Sequence, residues 1–328
     1  MNRFLITCLL ALLAVTAISF CTGPYGFDFD WELISGIRAP RLVTAAFAGA
    51  ATATAGALSQ SLFRNSLATP SIIGTEAGAA FALALMTLLL TDSGQSLSYP
   101  AIYTTAGAAV ATALSLSLLQ GNGLRKGHLR NDSRGDTSDS ISRLLLGGFA
   151  LNALLAAGTA FCVSILMEKG HGLNLYHWLL GSFTGRTWTH AISLCAGYLL
   201  CVILTLRISP SLDALSLGDD SAKSIGINVG RVYLYVLLLI ACLTGTALAC
   251  GGALPFIGLI APHFARLRSR PHLMSVLPLS AIVGAGITIL ADLAARTLRA
   301  PIDMDVGILT TLIGAPYFLW LLRRGQNA

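Results

Sequence analysis

The sequence predicts an all-α integral membrane protein of about ten transmembrane helices, one of them a short span, on three observations. Hydrophobic residues make up 55% of the 328 and charged residues only 11%, against about a quarter charged in soluble domains. Apolar runs close to the roughly 20 residues that cross a bilayer recur along the whole chain. Few stretches alternate apolar and polar with a period of two, so the pattern favours a helical bundle over a β-barrel. The seven cysteines are scattered without a CxxC pair. They read as small packing residues, with no disulfide framework and no metal site.

Residues 3–21 are an apolar run behind a single Arg3. Ser19-Phe20-Cys21 has a faint likeness to a lipoprotein cleavage site, but Phe20 spoils it and the run is long enough to span, so a first helix is expected rather than a signal peptide. Residues 42–62 are dense in Ala, Gly and Thr, which lets neighbouring helices approach closely and puts this span deep in the bundle. Arg64 and Asn65 end it, Pro70 restarts a helix, and Gly74 with Gly78 is read as a GxxxG packing face on a third span at 71–90. The fourth span is expected at 100–119. Residues 120–143 are the most hydrophilic stretch, expected as a flexible solvated loop. Spans five and six are expected at 143–167 and 188–206, joined by a helix along the far surface with Tyr176 and Trp178 at the interface. The seventh is expected at 230–249. The eighth follows the Gly251-Gly252 turn and covers only about 22 Å, so it must be shielded by protein or tilted at a thinned site. The ninth and tenth are expected at 274–297 and 305–322, and residues 1–328 form one transmembrane domain.

Between spans six and seven, Pro210 to Val229 (210–229) is a polar interruption with an order of its own. Gly218 stops one short segment, Asp219 is read as the cap of the next, Asp220 and Ser221 fill its first turn, and Gly226 falls where a helix end takes positive φ. Ala222 and Ile225 lie three apart on one face of a stub about two turns long. A stub that short is marginal in water and must pack on something. It reads either as a docking piece for a soluble partner or as an ordinary amphipathic interfacial loop. Ten spans put both termini on one side, and that side collects 15 of the 21 Lys and Arg. The rule of positive loops inside makes it cytoplasmic, together with the 120–143 loop and the 210–229 segment. The net charge of +6 is thus explained by topology and needs no nucleic-acid partner.

No GxxxxGK(S/T) phosphate loop, HExxH or GxSxG occurs in the chain, so no catalytic site is expected and any ATP-driven step needs a second polypeptide. LSLGDDSAKSIGINVGR resembles the cytoplasmic coupling segment of the FecCD/vitamin-B12-type ABC importer permeases. RAPRLVTAAFAGAATATAGALSQSLFRNSLATPSIIG at 38–74, WLLGSFTGRTW at 178–188, LPFIGLIAPHFAR at 254–266, ADLAAR at 291–296 and VGILTTLIGAPYFLWLLRR at 306–324 resemble that family in order and spacing. The resemblance implies an importer of two permease subunits, identical or not, with two ABC ATPase subunits carrying the ATP and magnesium, and a periplasmic substrate-binding protein. No cofactor is implied in this chain. It implies ATPase coupling through Leu217, Gly218, Asp219, Asp220, Ala222, Ile225 and Gly226. It also implies docking of the binding protein at outward-facing Arg38, Arg41 and Arg296, against the alternative that these anchor helix ends at lipid headgroups. Ser140 and Ser142 match the family's cytoplasmic gate. Asn152, central in the fifth span, either lines the path or bridges two helices. Glu76 departs from the small polar residue common in the family, and is read as a hydrogen-bonded structural carboxylate. Asp292 lies four residues before Arg296 and is read as its partner along one helix face. GSFTGRTW most resembles the ferric-siderophore branch, with haem or cobalamin as the alternative cargo. An ion-coupled secondary transporter using Glu76 and Asp292, and a receptor or scaffold that moves no solute, are the rivals from other classes.

Overall fold

The computed structural model describes residues 2–23, 26–27, 29–92, 100–120, 136–270 and 272–325. Helix α1 (Asn2–Cys21) is followed by a two-residue antiparallel pairing of β1 (Thr22–Gly23) with β2 (Gly26–Phe27). A short α2 (Trp31–Leu33) is capped by the Asp30 side chain, and a π-turn at Ile34–Arg38 leads into α3 (Ala39–Leu62), with Pro40 in its first turn. The chain then runs through α4 (Thr75–Asp92), α5 (Pro100–Gln120), α6 (Asp136–Glu168), α7 (Gly172–Leu179) and α8 (Trp188–Ser216). It closes with α9 (Asp219–Ser224), α10 (Val229–Gly251), α11 (Ile257–Arg268), α12 (Leu273–Thr297) and α13 (Val306–Gly325). Among the described residues, α1, α3, α6, α8, α10 and α12 contain stretches long and apolar enough to cross a membrane, and the apolar parts of α4 and α13 are somewhat shorter.

Contacts at the helix ends sort the bundle into two faces. On one, Phe4 stacks near Phe264, Arg266 bonds Gln60 and Ser61, and the Asp213 carboxylate accepts from the Leu273 amide at 2.9 Å. On the other, Arg41 meets Asp292 and Asp303, Trp188 donates to the Ser35 carbonyl, and Val306 donates to that of Gly181. Helices α1, α3, α8, α10, α11 and α12 each run from one face towards the other. Helix α11 is 12 residues long, about 18 Å at 1.5 Å per residue. It is covered by α3 and α12, with α13 beside it.

Helix α3 is the centre. It packs against α8, α10, α11 and α12, and its alanines at 45, 48, 51, 53, 55 and 57 are shut off from solvent. A methyl built on Gly56 would stand 1.8 Å from the Gly258 carbonyl oxygen, and one on Gly49 2.4 Å from that of Gly284. Gly78 plays the same part against Gly107. Gly74 does not share that face. It sits at φ +80 and ends the 3-10 turn Pro70–Ile73, so the GxxxG reading is corrected to a backbone break at Gly74 and a packing glycine at Gly78.

Two other expectations are corrected. Helix α8 runs through Pro210 to Ser216 instead of stopping near 206, because Leu212 and Leu215, three apart, are almost wholly buried in the core. Helix α6 begins at Asp136, so 136–143 is helical and Ser140 and Ser142 fall in its first turns. Their side chains, and residues 121–135 of the expected loop, lie outside the described residues.

Replacing Gly56 with Val should cost about 1–3 kcal/mol or more by overpacking. Thermal unfolding of the purified protein should show a drop of several degrees for Gly56→Val and none for Gly286→Ala, whose added methyl meets only a Leu12 methyl at 3.9 Å.

Candidate functional site

Helix α9 stands on the face that carries the chain's N-terminal end. Gly218 at φ +119 is its N-cap and Asp219 its first helical residue, which corrects the expectation of Asp219 as cap. The Asp219 carboxylate instead pairs with Arg64 beyond the end of α3. At the other end Gly226 is at φ +85, with its amide on the Lys223 carbonyl and the Ile227 amide on that of Ala222. These two bonds form a Schellman closure of the last turn. Ala222 is fully buried in the core, while Ile225, just past the helix, is 67% exposed. The two therefore do not share a face. Leu217 is 77% exposed, so two large apolar side chains flank a stub whose Asp220 carboxylate stands in solvent.

On the opposite face lies a cluster of buried charge. Arg41 reaches Asp292 at 2.9 Å and Asp303 at 2.7 Å, and Arg296 stands 3.4 Å from Asp292 on its own helix. Arg296 also donates to the carbonyls of Thr22 and Ser19, Arg38 to that of Phe20, and Thr184 to Asp303. The cluster ties together the end of α1, the start of α3, the end of α12 and the loops at 180–187 and 298–305. Arg38, Arg41 and Arg296 are only 9, 9 and 5% exposed. All three stand at this face with their guanidinium groups turned inward: Arg296 meets Asp292 along one helix as expected, whereas the partners of Arg38 and Arg41 are ones that sequence spacing conceals. Asp303 was not singled out from the sequence; its signal is a carboxylate a few residues beyond Arg296 and Arg299. Burial raises the Asp303 carboxyl, but the Arg41 charge and hydrogen bond, the Thr184 hydroxyl and the Arg296 charge outweigh it and hold the group below its ordinary value.

A cleft of about 390 Å³ adjoins the cluster, lined by His177, Trp178, Ser182, Thr184, Arg186 and the carboxylates of Asp303 and Asp305. The Arg186 guanidinium lies over the Trp178 ring at 5.0 Å and donates to the Ser182 carbonyl. His177 Nδ1 faces Asp305 at 3.1 Å.

A second cavity, about 360 Å³, opens deep between elements. Its walls are the turn at Leu67–Ile72, the start of α4 with Glu76, the Leu254–Leu259 entry to α11, and Phe318 of α13. Asn152 of α6 donates to the Ser71 carbonyl at 2.6 Å, so it bridges α6 to the cavity turn. Among the described residues no hydrogen bond or ion pair engages the Glu76 carboxylate, in contrast to the structural role read for it.

A multi-pass helical protein with a docking-sized stub at one face, a buried ion cluster at the other and a cavity between them has the architecture of a membrane transport subunit. The profile of the FecCD transport family matches residues 4–324. The chain is 34% identical over 305 residues to the Fe(3+)-citrate import system permease protein YfmD of Bacillus subtilis, covering 91% of this chain and 85% of that one. It is 36% identical over 301 residues to the hemin transport system permease protein HmuU of Yersinia pestis, covering 92% and 86%. A solved metal-chelate type ABC transporter in an inward-facing conformation superposes with a TM-score of 0.81 at 28% identity, covering 99% of this chain and 100% of that one. The chain belongs to the FecCD transport family.

A carboxyl held below its unfolded value of about 4 stabilises the fold above that value and loses the contribution as pH falls through the folded one. Asp303→Asn should therefore lower the unfolding temperature at pH 7 and flatten its decline between about pH 5 and pH 2. Thermal unfolding across that range checks this, and an unchanged acid limb would refute the Arg41–Asp303 linkage.

Proposed function

We propose that this chain is the permease subunit of an ATP-driven importer that carries a ferric chelate across the bacterial inner membrane by alternating access. The observation that carries the reading is the α9 stub. It is a two-ended, core-anchored helix that presents exposed Leu217 and Ile225 outside the spans, on a chain in which no phosphate-binding loop occurs. Exposed apolar side chains on an extramembrane helix suit a soluble partner, and an ATPase subunit on each of two permease chains supplies that partner. Both termini and α9 then lie in the cytoplasm, in keeping with the basic loops.

The opposite face, with its cleft and buried charges, is the docking side for a periplasmic binding protein. There Arg38, Arg41 and Arg296 set the shape and the field of the surface more than they offer free charges to a partner. Asn152 supports the cavity turn, and Ser140 and Ser142 stand near the cytoplasmic entrance. A ferric siderophore is the favoured cargo, from the likeness of GSFTGRTW. Ferric citrate and hemin are what two relatives are named for, and cobalamin is the further alternative from the family.

Uptake of radiolabelled ferric siderophores, haem and cobalamin, each with and without ATP depletion, tests the reading in strains with and without the gene. ATP-dependent loss of one ferric siderophore is expected in the deletion. Uptake that survives ATP depletion would remove the importer reading altogether. A second outcome concerns coupling. Gly226→Val forces a β-branched residue to positive φ at a cost of roughly 1–3 kcal/mol. Uptake should fall severalfold while ATP hydrolysis by the assembled complex continues. Wild-type uptake in that variant would sink the assignment of α9.

A further inference from the structure

The deep cavity has an electrostatic character that the importer reading leaves unused. Its depth follows from the helices around it. Phe318 lies twelve residues beyond Val306, where α13 starts at the face of Asp303. At 1.5 Å per residue that is about 18 Å into a core roughly 30 Å thick. Phe256, the N-cap of α11, lies 6.4 Å from Phe318 between ring centroids. Gly258 approaches the Thr52 carbonyl, which sits halfway along α3. The cavity therefore reaches mid-membrane at Phe256 and Phe318 and extends towards the face of α9 at Leu67 and Leu259. Backbone breaks frame it: Gly74 and Phe256 both have positive φ, and each begins a helix, α4 and α11, from mid-depth.

The walls are apolar apart from the hydroxyls of Thr69 and Ser71, which bond each other at 2.6 Å, and Glu76. Glu76 stands in the first turn of α4, where the helix's free amides offset part of the desolvation that burial imposes on its charged form. Three of the basic residues at the two faces are engaged elsewhere: Arg266 by Gln60 and Ser61, Arg64 by Asp219, and Arg41 by Asp292 and Asp303. A carboxylate at mid-membrane is costly and is retained where a cavity or a partner answers it. Here the cavity is present, and among the described residues no side-chain partner answers the carboxylate.

We infer that Glu76 is a charge filter in the translocation cavity: it favours cargo that presents a cationic group and disfavours multiply anionic chelates. The inference rests on the importer reading and narrows its substrate class. In low dielectric a fixed negative charge repels a second one strongly, so selection against the wrong cargo needs no contact shaped to the right one. Ferric chelates with a neutral core and a pendant ammonium suit such a charge; a ferric citrate complex, with its surplus carboxylates, does not.

Two measurements on the permease–ATPase complex in lipid vesicles test the filter. The first places a reporter thiol by Ser71→Cys in a chain whose seven native cysteines are replaced, and compares its reaction with cationic and anionic methanethiosulfonate reagents. The cation-to-anion rate ratio should fall about tenfold when Glu76→Gln is added, as expected for loss of one fixed charge at close range. An unchanged ratio, or a thiol at 71 that neither reagent reaches in the folded complex, overturns the inference whatever the protein transports. The second keeps the native cysteines, supplies the binding protein, and compares ATP-dependent uptake of ferric desferrioxamine B, which carries an ammonium, with that of ferric citrate. Glu76→Gln should shift the preference toward citrate by a similar factor. An unshifted preference overturns the filter and leaves the importer standing. Absence of ATP-dependent uptake of any ferric chelate strikes the importer reading, and the thiol rates then decide the filter alone.

Discussion

The contact between Gly56 of α3 and the Gly258 backbone of α11 governs how the other helices can sit. Lipid tails are as apolar as leucine, so helices in a bilayer gain little by hiding apolar side chains from one another. Their approach is set by close packing and by polar bonds between them. Helix α11 needs that approach more than any other, because 12 residues cannot bridge the hydrocarbon core unaided. It is held by α3 at Gly56, by α12 along its side, and by the Arg266 bonds to Gln60 and Ser61 at its end. The opposite end of α11 then stops in mid-membrane, and the space it fails to fill is the cavity bounded by Phe256 and Phe318. A bulkier residue at position 56 would displace the shortest helix and so alter the cavity, not only the core.

Charge organises the two faces where small residues organise the middle. Asp292 is 2% exposed and lies between Arg41 and Arg296. Isolated, any one of the three would be expensive to bury; together, and with hydrogen bonds to carbonyls of α1, each supplies the others' compensation. The result is a braced plate made from the ends of three helices and two loops, on the face opposite α9. On the face of α9 the pair of Arg64 with Asp219 is more exposed and correspondingly weaker. The asymmetry suits a molecule that presents a fixed surface to one side and a yielding one to the other.

Hydropathy made the spans legible, because a bilayer imposes length and composition on each helix separately. The short eighth span, the small-residue character of α3 and the positive φ at Gly226 were readable for the same reason: each is a local demand on local residues. What the sequence concealed depends on distant partners. Arg41 finds its counter-charges 251 and 262 residues away, so spacing could only leave it as a rim arginine. Gly74 and Gly78 fit a packing motif, yet the motif carries no information on φ, and Gly74 is used as a break. Pro210 suggested an end to α8, but burial of Leu212 and Leu215 outweighs the missing amide. Ile225 obeyed helical spacing with Ala222 and still fell outside the helix, since the Schellman closure at Gly226 ends the regular turn first.

A short run of contacts links the stub to the cavity. Asp219 is paired with Arg64, and six residues after Arg64 the chain reaches Pro70, which begins the turn that walls the cavity. That turn is braced by the Asn65 carbonyl on the Ala68 amide and by Asn152 on the Ser71 carbonyl, and it ends at the Gly74 break two residues before Glu76. Behind α9, Asp213 caps α12 through Leu273, and α12 carries Asp292 at its far end. A displaced α9 therefore has two short routes into the bundle. One bends at Gly74, where a residue free of Cβ strain can turn, and reaches the cavity wall. The other runs along a stiff helix of 25 residues into the braced plate. The first route is the softer of the two, because it turns at a residue without Cβ, whereas the second ends among the paired charges of Arg41, Asp292 and Arg296.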